Sequence, residues 1–169
     1  MLARTAFSTL LAAALALASP TPNFETRQDG FSVKVTNFKA FHADPYFEGA
    51  QSNLTFTVTD TRPEFFAKAE CIIPNTYFNL FAISALFDYC GDRKLDISYR
   101  YTEQSVLVRR GWQANETTYL RGSATQISNF KEGVNITKFQ EGKLLHREED
   151  WVFPLTVQLL VAQEYCTVY

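Results

Sequence analysis

The sequence predicts an all-β fold, a single antiparallel domain built as a barrel or sandwich with little helix, and three observations predict it. Short segments alternate apolar and polar residues at the two-residue period of an extended chain. Rings dominate the apolar set, with 15 Phe and 8 Tyr against one Met in 169 residues, and aromatic residues favour strands. Turn-forming Gly, Asn and Pro separate the segments, as they do between strands joined by tight connections.

The chain opens with Arg4 and an apolar run from Phe7 to Leu17, closed by the small residues around Ala16-Leu17-Ala18. This reads as a secretory signal peptide over residues 1–18 and places the mature protein outside the cell. The run is shorter than the roughly 20 apolar residues a transmembrane anchor needs. Residues 19–30 carry Pro20, Pro22, Asn23, Gln28, Asp29 and Gly30 with little to bury, so they read as a flexible leader or pro-segment, with a second trimming bond between Arg27 and Gln28. The remaining residues, 31–169, suffice for one hydrophobic core. Without Arg4 the chain keeps 15 basic and 18 acidic residues, a net charge of about −3. That balance argues against nucleic acid as a partner, which requires a concentrated basic surface.

Strands follow in order. Phe31, Val33 and Val35 share one face against Ser32, Lys34 and Thr36, and Leu54, Phe56 and Val58 repeat the pattern against Thr55, Thr57 and Thr59. Leu95, Ile97, Tyr99 and Tyr101 alternate with Lys94, Asp96, Ser98 and Arg100. Val106–Arg109, Thr117–Arg121 and Gln126–Phe130 are shorter candidates, with turns expected at Gly111, Asn115 and Gly122. A last long strand alternates Trp151, Phe153, Leu155, Val157, Leu159 and Val161, and Pro154 puts an edge or a bulge in it. Helical spacing occurs only at Phe78, Phe81, Ala82, Ala85 and Leu86.

Three sequons, Asn53-Leu54-Thr55, Asn115-Glu116-Thr117 and Asn135-Ile136-Thr137, suit a secreted glycoprotein. Cys71, Cys90 and Cys166 allow one disulfide in three pairings. Cys71 with Cys90 is the most economical, closing a loop worth roughly 3 kcal/mol. Cys166 is then a buried or free thiol, or the source of an intermolecular bond.

The opening strand Phe31-Ser32-Val33-Lys34-Val35-Thr36-Asn37-Phe38, the second strand Leu54-Thr55-Phe56-Thr57-Val58-Thr59-Asp60, Cys71 and then Phe87-Asp88-Tyr89-Cys90 form an ordered series. From Phe31 to Val108 that series resembles the Alternaria major-allergen-like family of small secreted fungal proteins, as does the leader ending in Arg27-Gln28-Asp29. The resemblance implies an antiparallel β-barrel, a Cys71–Cys90 disulfide, no catalytic residues, and a role as an allergen or effector outside the cell. This chain departs from the family where the C-terminal cysteine pair is reduced to Cys166 and an early cysteine is absent, so the family's disulfide-linked homodimer is doubtful here.

Catalytic and metal-binding chemistry has little to stand on. His42 and His146 are far apart in sequence and no cysteines have zinc spacing. His42-Ala43-Asp44 with Glu48 reads as a solvated polar loop rather than a cation site. Cys166 as a nucleophile with His146 as base lacks the third, orienting group such a pair requires. Asp88, Asp92, Asp96 and Glu148-Glu149-Asp150 supply acids, and Trp112 and Trp151 supply sugar platforms, for a glycoside hydrolase. Against that, Asp96 alternates outward, Glu148–Asp150 reads as a solvated turn and Trp151 begins a core strand. Arg109-Arg110 is expected on the solvent face, and Phe65-Phe66 with the stretch Phe78–Phe87 form either an aromatic ligand patch or core. The expected function is non-enzymatic binding of a host extracellular protein or a small apolar ligand, with no cofactor. A small secreted carbohydrate-active hydrolase and a structural wall or spore-surface protein are the alternatives.

Overall fold

A computed structural model describes residues 30–85 and 88–160. Among the described residues, eleven strands make two antiparallel sheets. The first contains β1 (Ser32–Ala43), β2 (Ser52–Asp60), β3 (Ala67–Thr76), β8 (Ile136–Phe139), β9 (Gly142–Arg147) and β10 (Trp151–Pro154). Its order is β3-β2-β1-β9-β8, with β10 also paired to β1. The second contains β4 (Asp88–Tyr89), β5 (Ile97–Tyr101), β6 (Ser105–Asn115), β7 (Thr118–Ile127) and β11 (Thr156–Leu160), ordered β11-β7-β6-β5-β4. Alternation dictates which faces meet: Val33, Val35, Leu54, Phe56 and Val58 from the first sheet are buried against Ile97, Tyr99, Tyr101, Val106 and Val108 from the second. Rings fill the middle, with Phe56 edge-on to Tyr99 at 5.0 Å and Phe38 edge-on to Tyr101 at 5.7 Å.

β1 serves two partners along one edge because of a bulge. Its register shifts between Thr36 and Lys39, and Asn37 takes the left-handed conformation at φ 55°. Asn tolerates that conformation better than branched residues do. The extra residue changes the parity of the strand, so Phe38 and Ala40 point inward after it. Ser32–Val35 pair with β10 and Phe38–Ala43 pair with β9.

A disulfide and a direct crossing of the chain help to tie the two sheets together. A disulfide joins Cys71 on β3 to Cys90 just after β4, an edge strand of each sheet, with Cα atoms 4.2 Å apart. The chain also crosses directly from β10 in one sheet to β11 in the other at Pro154–Leu155, so the expected long last strand is broken where proline lacks a donor. Trp151, Phe153, Leu155 and Val157 are buried as expected, whereas Leu159 is exposed. Val161 and Cys166 lie outside the described residues, as do the leader up to Asp29 and residues 1–18.

Three local expectations are corrected. Gly111 and Gly122 do not turn the chain; they sit inside β6 and β7, which turn only at Asn115. A Cβ at Gly111 would collide with Asp96 and Tyr119, and one at Gly122 would lie 2.9 Å from the Leu155 side chain. Both glycines therefore mark close approach, their other use in strands. Leu95 and Asp96 precede β5 instead of opening it: Arg93–Leu95 is a 3-10 turn that ends at Asp96 with φ 44°. His42 belongs to β1 and not to a solvated loop. The short turn of helix expected between Cys71 and Cys90 does form, as α1 (Leu80–Ser84); its buried residues are Leu80 and Ser84, with Phe78 left in solvent.

Candidate functional site

Three connections converge where β1 hands over to β2: the loop 44–51, the segment 77–79 leading into α1, and the turn 140–141 between β8 and β9. Asp44 starts the loop. Its Oδ1 accepts the Tyr46 N–H at 2.9 Å, its carbonyl accepts from Phe47, and its own N–H donates to the Glu141 carbonyl at 2.7 Å. Thr76 Oγ1 accepts from Phe78 N, and Asn79 caps α1 by accepting from Phe81 N at 2.8 Å. These polar clamps hold large rings outward: Tyr46 is 96% exposed, Tyr77 74% and Phe78 73%, with Phe47 and Phe139 also exposed beside them. Between the loop and segment 77–79 lies a cleft of about 440 Å³, and across the loop, against β8 and β9, lies another of about 500 Å³.

His42 lies beneath both clefts. Its Nε2 shares a 2.8 Å hydrogen bond with the Tyr101 hydroxyl, and its ring packs 5.0 Å from Phe81. Burial, helped by nearby Lys143, lowers the His42 pKa to about 4, so the imidazole is neutral at ordinary pH. Burial pushes the Tyr101 hydroxyl up, with the Glu103 charge adding to it. Tyr101 is held from behind by buried Ser84, whose hydroxyl donates to the Tyr101 carbonyl at 2.5 Å and accepts from its N–H at 3.1 Å. That exchange lets α1 act as a strand partner for the end of β5. A neutral imidazole bonded to a phenol and packed on the Phe81 ring supports packing more than acid–base chemistry.

The other expected chemistry is dispersed or saturated. Asp96 accepts from Tyr119 at 2.7 Å and from Arg121 at 2.9 Å, which raises the Arg121 pKa; burial, helped by the bond to Asp96, pushes Tyr119 up to about 12. Asp92 caps the 3-10 turn through Lys94 N, and Asp150 pairs with Lys34 at 2.9 Å. Glu148 and Glu149 are exposed, and Glu148 shares a shallow cleft with His146 away from His42. Trp112 and Trp151 are buried and offer no platform. Among the described residues, no group of three or more His, Cys, Asp or Glu is placed to hold a metal ion.

Arg110 corrects the expectation of a solvent-facing pair. Its side chain points inward, and its Nε lies 3.4 Å from Asp60, a carboxylate with no exposed surface. Burial lowers the Arg110 pKa while Asp60 opposes that fall. The guanidinium donates to the carbonyls of Leu95, Gly111 and Phe65. Arg62 bonds both oxygens of Asp60, at 2.8 and 2.6 Å, and stacks on Trp112, its Cζ 4.0 Å from the ring centre.

Each sequon asparagine can be placed. Asn115 is exposed at the β6–β7 turn, with Oδ1 accepting from Thr117; Asn53 lies on β2 and donates to Asn75; Asn135 is half-buried in the turn before β8. Sequence reasoning missed Tyr46, Phe47 and Tyr77. The available signal was a ring-bearing Pro45-Tyr46-Phe47 in a polar loop, where nothing periodic demands rings.

Fold and site together define an all-β protein of two antiparallel sheets with an aromatic, loop-built end. No protein-family model matches the chain, and no curated protein does. It is similar to two crystal structures of the Alternaria alternata major allergen Alt a 1, from the family its residues resemble. One is 12% identical, covering 78% of this chain and 96% of the allergen at a TM-score of 0.43. The other is 13% identical, covering 85% and 97% at a TM-score of 0.44. No described helix is long and apolar enough to cross a membrane.

Proposed function

We propose that this is a secreted, allergen-like fungal β-protein that acts without catalysis, by binding a host protein outside the cell through its aromatic end. One observation carries the reading: Tyr46, Phe47, Tyr77 and Phe78 stand exposed together on clamped loops, with Phe139 exposed at the end of β8 beside them, whereas the rings of the core are buried. Clustered exposed rings mark interaction surfaces, and Tyr and Trp dominate binding hot spots. The proposed signal peptide, the sequons and a disulfide suit work in an oxidising exterior. A protein partner fits better than a small apolar ligand. The rings stand on the rim of clefts lined also by Asp44, Glu48 and Asn79, and small ligands prefer enclosed apolar walls. The saturated carboxylates Asp60 and Asp96 favour binding over hydrolysis.

The test is capture of a partner from host extracellular fluid, followed by titration of the purified pair. Tyr77→Ala with Phe78→Ala should weaken binding at least about tenfold, while Thr57→Ala on the outer face of β2 leaves it unchanged. Unaltered affinity in the double variant would exclude the rim. Reproducible turnover of a polysaccharide or ester, abolished by one carboxylate substitution, would exclude the non-catalytic role.

A further inference from the structure

We infer that the cleft between loop 44–51 and segment 77–79 receives a basic side chain, an arginine or lysine of the partner protein. The inference rests on the reading of the rim as a binding surface. Every charged side chain lining this cleft is acidic, namely Asp44 and Glu48, and Phe47, Tyr77 and Phe78 share the lining. Lys138 and Lys143 line the cleft on the other side of the same loop and are absent from this one; Asp44 borders both clefts, and Glu48 faces only the first. Ion pairs form elsewhere on the surface at Lys34–Asp150, Arg121–Asp96 and Lys138–Glu132. Neither Asp44 nor Glu48 takes part in any of the ion pairs of the described residues, and Asp44 uses only Oδ1 within its loop.

Carboxylates and aromatic faces around one cleft are the two groups that attract a cation: the carboxylates by charge, the rings by their negative π faces. The aliphatic stem of a lysine or arginine would lie along the rings while the head meets the carboxylates. The same molecule shows rings accepting a guanidinium, since Arg62 stacks on Trp112, Phe31 and Phe65 beside Asp60. There an internal arginine fills the place; in the cleft the place is left for a partner's.

The experiment uses the mature protein, isotope-labelled, titrated with a short arginine-containing peptide and with the same peptide carrying neutral citrulline at each arginine. The arginine peptide should bind at least about fivefold more tightly, shift the amides of Tyr77, Phe78 and Asn79, and weaken as salt rises. Asp44→Asn with Glu48→Gln should erase the preference; asparagine keeps the acceptor for Tyr46 N, so the loop stays folded. Equal binding of the two peptides overturns the inference, as does an undiminished preference in the charge variant. If the charge variant keeps the captured host partner at full affinity while Tyr77→Ala with Phe78→Ala loses it, the basic-side-chain inference fails and the rim reading stands.

Discussion

The hairpin of β1 and β2 carries an aromatic cluster at each end, and the two clusters have opposite characters. At the end where β2 finishes, Phe31, Phe65 and Trp112 surround Arg62 within 4.9 Å, and Arg62 and Arg110 together neutralise buried Asp60. At the other end Tyr46, Tyr77 and Phe78 project into solvent above neutral His42, and Asp44 and Glu48 meet no cation. Both ends use rings and carboxylates. The difference lies in saturation: one cluster supplies its own guanidinium and is a staple, the other leaves its rings and charges open. Stability should therefore depend on the first and recognition on the second.

The largest effect tests the staple. Arg110→Ala should cost about 3–5 kcal/mol in urea unfolding, because it removes one of two cations from an unexposed carboxylate. It also strips donors from the carbonyls of Leu95, Gly111 and Phe65. Partner affinity at the far end should stay unchanged when measured below the transition. A loss under about 1 kcal/mol would mean that Arg62 alone satisfies Asp60 and that the staple is redundant.

Next comes the disulfide, which joins the sheets away from either cluster. Cys71→Ser should lower stability by about 2–5 kcal/mol, and Cys90→Ser should match it. Peptide mapping without reduction checks the pairing directly. A fragment pair containing Cys166 from a monomer would show a different bond in solution.

Smaller still is the acid response of the open end. An unfolded histidine titrates near 6.5 and folded His42 near 4, so between these values the unfolded chain binds a proton that the folded chain refuses. Stability is then complete above pH 6.5 and declines as pH falls towards 4, by roughly 1–2 kcal/mol once partial exposure is discounted. His42→Gln, which keeps a hydrogen-bonding group toward Tyr101, should flatten that part of the profile. An unchanged slope in the variant would assign the acid loss to other groups.

The same contrast explains what the sequence revealed. Periodicity made the core legible, because Val33, Val35, Leu54, Phe56, Val58, Ile97, Tyr99, Tyr101, Val106 and Val108 are buried in the alternation that names them. It failed where a residue's partner is remote in sequence. Arg110 looked like a surface charge because nothing nearby shows that Asp60, fifty positions earlier, lies opposite it. Gly111 and Gly122 looked like turns because the side chains that claim their Cβ space, Asp96, Tyr119 and Leu155, arrive from other segments. The Asn37 bulge leaves no mark in the pattern except the change of parity at Phe38. At the rim only Phe78 fell inside the aromatic stretch already singled out; Tyr46, Phe47 and Tyr77 sit in connections, where burial sets no rhythm.

The smallest effect on stability is expected at the rim itself. Tyr77→Ala with Phe78→Ala should move unfolding stability by no more than about 0.5 kcal/mol per site, since both rings are already in water and their removal leaves no cavity. Phe38→Ala sets the scale, because its ring is 1% exposed and packs on Phe56, Tyr101, Phe130 and Trp151; its loss should cost about 3–5 kcal/mol. Both variants are measured by urea unfolding beside the parent. A rim variant as damaged as Phe38→Ala would show that Tyr77 and Phe78 are packed in solution, and the two ends of the hairpin would then both be structural. Near-parental stability keeps the rim rings free to meet a partner, and any loss of binding in that variant is then a loss of contact rather than of fold.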